Sequence, residues 1–126
     1  MGMDINGKSG NYFRAALDSW EPILAMCIEL NESKSLSLNL DGWEVNDGAG
    51  LHTQEDCNKL ADAIENAVNE GSFQYEIPHD QGRTALHILE QSGVLQSNGE
   101  PYCTDKEHVM EFVKFLRECG GEFKIG

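Results

Sequence analysis

Reactive and ligand-binding side chains gather in three short stretches of this 126-residue chain. The first is Asn46-Asp47-Gly48-Ala49-Gly50, which runs through Leu51 to His52. Two amide or carboxylate side chains and an imidazole so close together suit a polar small molecule, with Arg14 as an anion-binding arm and Trp43 as an aromatic wall. The same residue types are also the usual turn formers, so the stretch reads first as a tight loop feeding a helix that starts at Thr53, and second as a binding loop. An EF-hand calcium loop is excluded. Counting back from Gly48 puts Trp43 and Val45 where oxygen ligands are required. Arg14 itself, in so acidic a chain, is expected first as one half of an internal ion pair.

The second stretch is Gly2-Met3-Asp4-Ile5-Asn6-Gly7-Lys8-Ser9, which matches the Walker A pattern letter for letter. A phosphate loop needs a buried strand leading in and a helix N-terminus behind the phosphates. Only Met1 precedes Gly2, which leaves no room for that strand. Residues 1–10 are therefore expected to be a flexible N-terminus.

The third group pairs thiols with imidazoles: His52 with Cys57, and Cys103 with His108. Metal binding needs three or four convergent ligands, and neither pair has a third at zinc-like spacing. Cys57 and Cys119 fall on apolar helix faces, where a thiol acts as a small hydrophobe. A Cys103 nucleophile served by His108 or His79 lacks any evident oxyanion hole. No metal and no cofactor are expected. The absence of CxxC spacing and of an apolar leader in residues 1–10 points to reduced thiols and a cytoplasmic chain.

Charge limits the partners. The chain carries 22 acidic and 9 basic side chains, a formal charge of −13. Nucleic acid phosphates and anionic membrane surfaces repel such a protein, and neither is expected as a partner. Between Asp41 and Glu76 nine carboxylates face only Lys59. Asp41, Glu44, Glu55, Asp56, Asp62 and Glu65 are thus expected either to solubilise one face or to attract a partner protein with a basic surface. The oligomeric state is left open.

These groups must be positioned by elements legible from periodicity. A helix is expected over residues 11–31, broken near Pro22, with Ile23, Met26, Cys27 and Leu30 on one face. Leu36, Leu38 and Leu40 alternate as a half-buried strand, with Asp41-Gly42 turning it back through Trp43-Glu44-Val45. Thr53 begins a helix that Gly71 stops, and Phe73 to Ile77 alternates as a strand. Thr84 to Gln91 is expected as a short helix. Thr104-Asp105-Lys106-Glu107 reads as a capping box, followed by the stripe Val109, Phe112, Val113 and Leu116. Glu122 to Ile125 closes the chain as a last strand. Helices and strands mixed without regular βαβ alternation point to one α+β domain over residues 11–126, with about three main helices on a small, mainly antiparallel sheet.

Several blocks together resemble a group of small bacterial and phage proteins of unknown function. They are Tyr12-Phe13-Arg14 with Trp20-Glu21-Pro22, the Asn46 to Leu51 loop, Leu60-Ala61, and the run from Val109 to Gly121 followed by Phe123 and Ile125. Glu122, standing between Gly121 and Phe123, departs from the pattern. The resemblance implies one domain in a bacterial or phage cytoplasm and brings no activity, cofactor or catalytic residue.

The leading functional expectation is a small acidic binding or regulatory protein. Two alternatives stand beside it: a small-molecule binding or hydrolytic domain built on the Asn46-Asp47 loop, and a structural component of an assembly.

Overall fold

The computed structural model describes residues 2–82, 87–88, 91–93 and 99–126. The chain begins with a strand, β1 (Gly2–Gly7), where flexibility was expected. Met3 and Ile5 point inward while Asp4 and Asn6 point out, the period-two pattern of a half-buried strand. β1 turns at residues 8–11 into β2 (Tyr12–Ala16), where Phe13 and Ala15 are buried and Tyr12, Arg14 and Ala16 face out. The antiparallel register runs from Gly2 opposite Ala16 to Asn6 opposite Tyr12. This corrects two expectations together. Residues 2–7 are ordered at the centre of the sheet, and residues 12–16 are strand where a helix was expected.

The Walker-like residues accordingly make no phosphate loop. Lys8 and Ser9 occupy a strand-to-strand turn, so no helix N-terminus follows them.

Helix α1 (Leu17–Ser33) starts directly after β2 and carries Pro22 inside it without a break. Its buried residues include Trp20, Ile23, Leu24, Met26, Cys27 and Leu30. The strand expected over Ser35 to Leu40 is absent. Ser35 and Ser37 adopt positive φ of 52° and 59°, which breaks any extended ladder. Asn31 replaces the missing strand partner: its side-chain amide donates to Leu38 O and its oxygen accepts from Leu38 N, both at 2.9 Å. Residues 41–44 form a turn that delivers Trp43 to the core, so the expected hairpin does not form.

α2 (Gln54–Glu70) begins and ends where its caps predict. Thr53 Oγ1 accepts from Asp56 N at 3.1 Å, and Gly71 closes the helix at φ 75°. Of the strand expected from Phe73, only Glu76–Ile77 pairs, as β3, against β4 (Tyr102–Cys103). The short helix expected at Thr84 to Gln91 lies largely outside the described residues.

α3 (Lys106–Glu118) is capped by Asp105, whose carboxylate accepts from His108 N at 2.8 Å. The cap thus sits one residue after the Thr104 expected from the box. The final strand, β5 (Phe123–Ile125), pairs with β1, giving the antiparallel order β2-β1-β5. The loop expected to bind a ligand instead sheathes the outer edge of β5. Gly48 N donates to Ile125 O at 2.7 Å, Ile125 N to Ala49 O at 2.6 Å, and Phe123 N to Leu51 O at 3.2 Å.

One hydrophobic cluster joins α1, α2 and α3 to the three-stranded sheet. At its centre Trp20 meets Phe112 edge-on with ring centroids 5.5 Å apart, and Trp43 meets Phe123 edge-on at 5.6 Å. The chain is a single α+β domain. Among the described residues, no helix is long and apolar enough to cross a membrane.

Candidate functional site

The five residues expected to bind a ligand stand in different surroundings. Trp43 is fully buried, so it can wall no open site. Asn46 spends its side chain on β1, accepting from Asp4 N at 3.1 Å and donating to Gly2 O at 2.9 Å. Asp47 is exposed on the same loop. His52 faces solvent and lies 3.6 Å from a Glu122 carboxylate oxygen. Arg14 projects from β2 toward Asp4, 3.8 Å away, and Asp4 also accepts from the Tyr12 hydroxyl. That hydrogen bond holds the Tyr12 phenol above its ordinary range. Loop 46–52 is thus a bracket that ties β1 and β5 together.

The carboxylates expected to form a partner surface divide into two sets. Asp62 and Glu65 grip Arg117 of α3 at 2.9 and 3.2 Å, and these contacts, the Asp62 hydrogen bond first, raise the guanidinium further above its usual range. Glu55 and Asp56 each stand 4.0 Å from Lys59. Much of the negative charge on α2 is therefore answered within the molecule. Asp41 and Glu44 lie off that helix, in the turn before loop 46–52.

Sequence reasoning missed a different constellation, on the far side of α1 around β3 and β4. An open hollow of about 760 Å³ is lined by Glu76, Pro78, His79, Asp80, Gly99 and Pro101. Behind it the His79 ring stacks on Tyr102 with centroids 5.2 Å apart, and His87 meets Tyr102 edge-on at 6.1 Å. His87 Nδ1 and the Tyr102 hydroxyl are hydrogen-bonded at 3.0 Å. Glu21 of α1, only 2% exposed, is the buried charged side chain of the described residues.

Gly82 is the hub of this arrangement. A Cβ built there would lie 2.6 Å from each of Glu21 Oε2, His87 Nδ1 and Tyr102 Cε2. Only a residue without a side chain lets these three groups converge. Proline at 78 starts the 3₁₀ turn His79–Gln81 that aims His79 at the hollow. Nothing in the sequence marked the site, because Glu21, the His79–Gly82 turn and Tyr102 come from three separate segments with no shared spacing. The nearest available signal was a glutamate on the otherwise apolar run from Trp20 to Leu24.

Cys103 lies on β4 opposite Glu76, one of the residues lining the hollow. Its thiol is raised above the ordinary value, first by desolvation and then by Glu76, Asp18 and Glu100. Surrounding carboxylates disfavour a thiolate there, which argues against a cysteine nucleophile. His108, paired with Cys103 in the sequence, instead flanks the core, edge-on to Phe13 at 4.9 Å. Among the described residues, the large exposed apolar side chains are Tyr12, Val45 and Ile88, on three separate segments. Among the described residues, no cluster of three His, Cys, Asp or Glu side chains is arranged to hold a metal ion.

No family model matches the chain, and neither a curated protein nor a solved structure matches it.

Proposed function

We propose that the chain is an acidic binding protein that receives a basic group of a protein partner in the hollow beside His79. The observation that carries this reading is the lining of the hollow: Glu76 and Asp80 supply negative charge, while Pro78, Pro101 and the His79 ring, backed by Tyr102, supply flat walls. A guanidinium or ammonium fits such walls, through charge on one side and ring faces on the other. The carboxylates of α2 suit the role less well, since Arg117 and Lys59 already offset them. The overall charge of −13 would speed encounter with a basic partner before docking. A modulator of a bacterial or phage protein is in keeping with the resemblance noted above.

The test uses agmatine and a tetra-arginine peptide as probes, with binding followed by NMR shifts of the His79 and Tyr102 ring protons. Saturable shifts at low ionic strength should weaken at least tenfold in a Glu76→Gln/Asp80→Asn variant and persist in Glu55→Gln/Asp56→Asn. Equal weakening in both variants, or no shifts at low salt, overturns the reading.

A hydrolytic domain is the second reading, moved from loop 46–52 to this hollow. The His87–Tyr102 hydrogen bond beside a buried carboxylate favours it, because acid–base catalysis starts from such linked groups. Turnover of chromogenic esters that disappears in Tyr102→Phe would support it. No turnover by the intact protein would end it.

A further inference from the structure

Two thiols expected merely to fill the core stand against each other. Cys57 lies in the first turn of α2 and Cys119 caps the end of α3, 62 positions later, with their sulphurs 3.6 Å apart. Their neighbours hold them in register. Gln54 donates to Leu116 O at 3.1 Å and to Arg117 O at 3.3 Å, so the start of α2 is stitched directly to the last turn of α3. Two to three turns further along α2, Asp62 and Glu65 hold Arg117 of α3. The Cys119 thiol also contacts Leu116 O at 3.4 Å. Closing the gap to a bond asks for side-chain rotation and a small approach of two helix ends already in contact.

We propose that Cys57 and Cys119 form a reversible disulfide that staples α2 to α3 when the protein meets a low-molecular-weight disulfide such as oxidised glutathione. One protein thiolate attacks the small disulfide, forming a mixed disulfide and releasing one small thiolate. The second protein thiolate then attacks the protein sulphur of that mixed bond and expels the other small thiolate. Two electrons pass to the oxidant, and the two protein thiol protons end on the two released small thiols.

Access is through the end of α3. The β1–β2 turn covers Cys119: Ser9 N donates to Cys119 O at 2.9 Å and Ser9 Oγ to Glu118 O at 2.6 Å. Burial, followed by the hydrogen bond with Cys119, pushes the Cys57 thiol up to about 12, so exchange waits on opening of this end. Cys27 is buried on α1, and Cys103 is exposed on β4. The bridge would close a long loop and restrict the unfolded chain, which raises stability.

The experiment uses the full chain carrying Cys103→Ser, incubated with oxidised glutathione near neutral pH. Expected are the loss of two hydrogen masses, a peptide map joining Cys57 to Cys119, and a melting temperature higher by about 5 °C or more. All three should vanish in Cys57→Ala and in Cys119→Ala, each first shown by circular dichroism to be folded when reduced. If either variant fails to fold, alkylation kinetics of the Cys103→Ser protein replace it, and the two thiols should be protected together on oxidation. A glutathione adduct without a bridge, a bridge through Cys27, or no oxidation even in sub-denaturing urea overturns the proposal. A bridged protein that melts lower overturns the staple.

Discussion

The indole N–H of Trp20 donates to the backbone carbonyl of Trp43 at 2.9 Å, and the two rings stack with centroids 6.4 Å apart. This contact decides the fate of the segment between α1 and α2. Trp43 is drawn inward by α1, and the residues around it turn about that anchor with no ladder to join. Trp20→Phe keeps an aromatic ring but deletes the donor and the pyrrole half of the indole, leaving a buried carbonyl unsatisfied and a cavity beside it. Chemical denaturation should show a loss of at least about 1–3 kcal/mol from the orphaned carbonyl, with the cavity cost added to it. A loss within error would mean that water reaches the Trp43 carbonyl.

Asn46 offers the sharpest distinction between a bracket and a binding residue. Asn46→Ala removes one bond to Asp4 N and one to Gly2 O. Stability should fall by about 1–2 kcal/mol, with faster amide exchange along β1. Affinity for the arginine probes should stay unchanged. Loss of binding with unchanged stability would return the site to loop 46–52.

Gly50 and Gly82 should fail for different reasons. A Cβ at Gly50 would lie 2.0 Å from Phe123 O, so Gly50→Ala must lift the loop from β5. We expect destabilisation of more than about 2 kcal/mol, in the range of overpacked backbone contacts. A Cβ at Gly82 meets side-chain atoms of Glu21, His87 and Tyr102 instead. Gly82→Ala should leave the melting temperature within about 5 °C while weakening probe binding, because the displaced groups lie outside the main core. A folded Gly82→Ala protein with unaltered binding would detach the hollow from function.

Alkali should unfold this protein earlier than its carboxylates suggest. Burial holds the Cys27 thiol up at about 12, against an ordinary value of 9.0. The folded state thus prefers the neutral thiol more strongly than the unfolded chain does. That preference contributes nothing against folding below pH 9.0, and stability is lost as pH rises from there toward the folded value of about 12. Cys57 acts in the same direction. The unfolding free energy from chemical denaturation should drop between pH 9 and 11, with a slope of up to about 1.4 kcal/mol per pH unit for each thiol. Cys27→Ala should flatten the drop. An unchanged slope in that variant would assign the alkaline loss to other groups.

What the sequence by itself determined is local. Thr53 and Gly71 bound α2 because a cap hydrogen bond and a left-handed glycine act within a few residues. The stripe Val109, Phe112, Val113 and Leu116 reads as a buried helix face, and it is one. The α+β class follows from such local signals taken in order. Tertiary structure decided the rest. Residues 2–7 hold only Met3 and Ile5 as inward apolar side chains, too short a signal to stand alone, and they become the central strand because β2 and β5 supply partners on both sides. Leu36, Leu38 and Leu40 carry a good strand pattern, yet Asn31 satisfies the Leu38 backbone and no ladder forms. Backbone pairing is settled by which chain segment lies alongside, and no residue spacing records that. The hollow at His79 is the same case, since Glu21, Gly82, His87 and Tyr102 meet only when α1, β4 and the turn after β3 pack together.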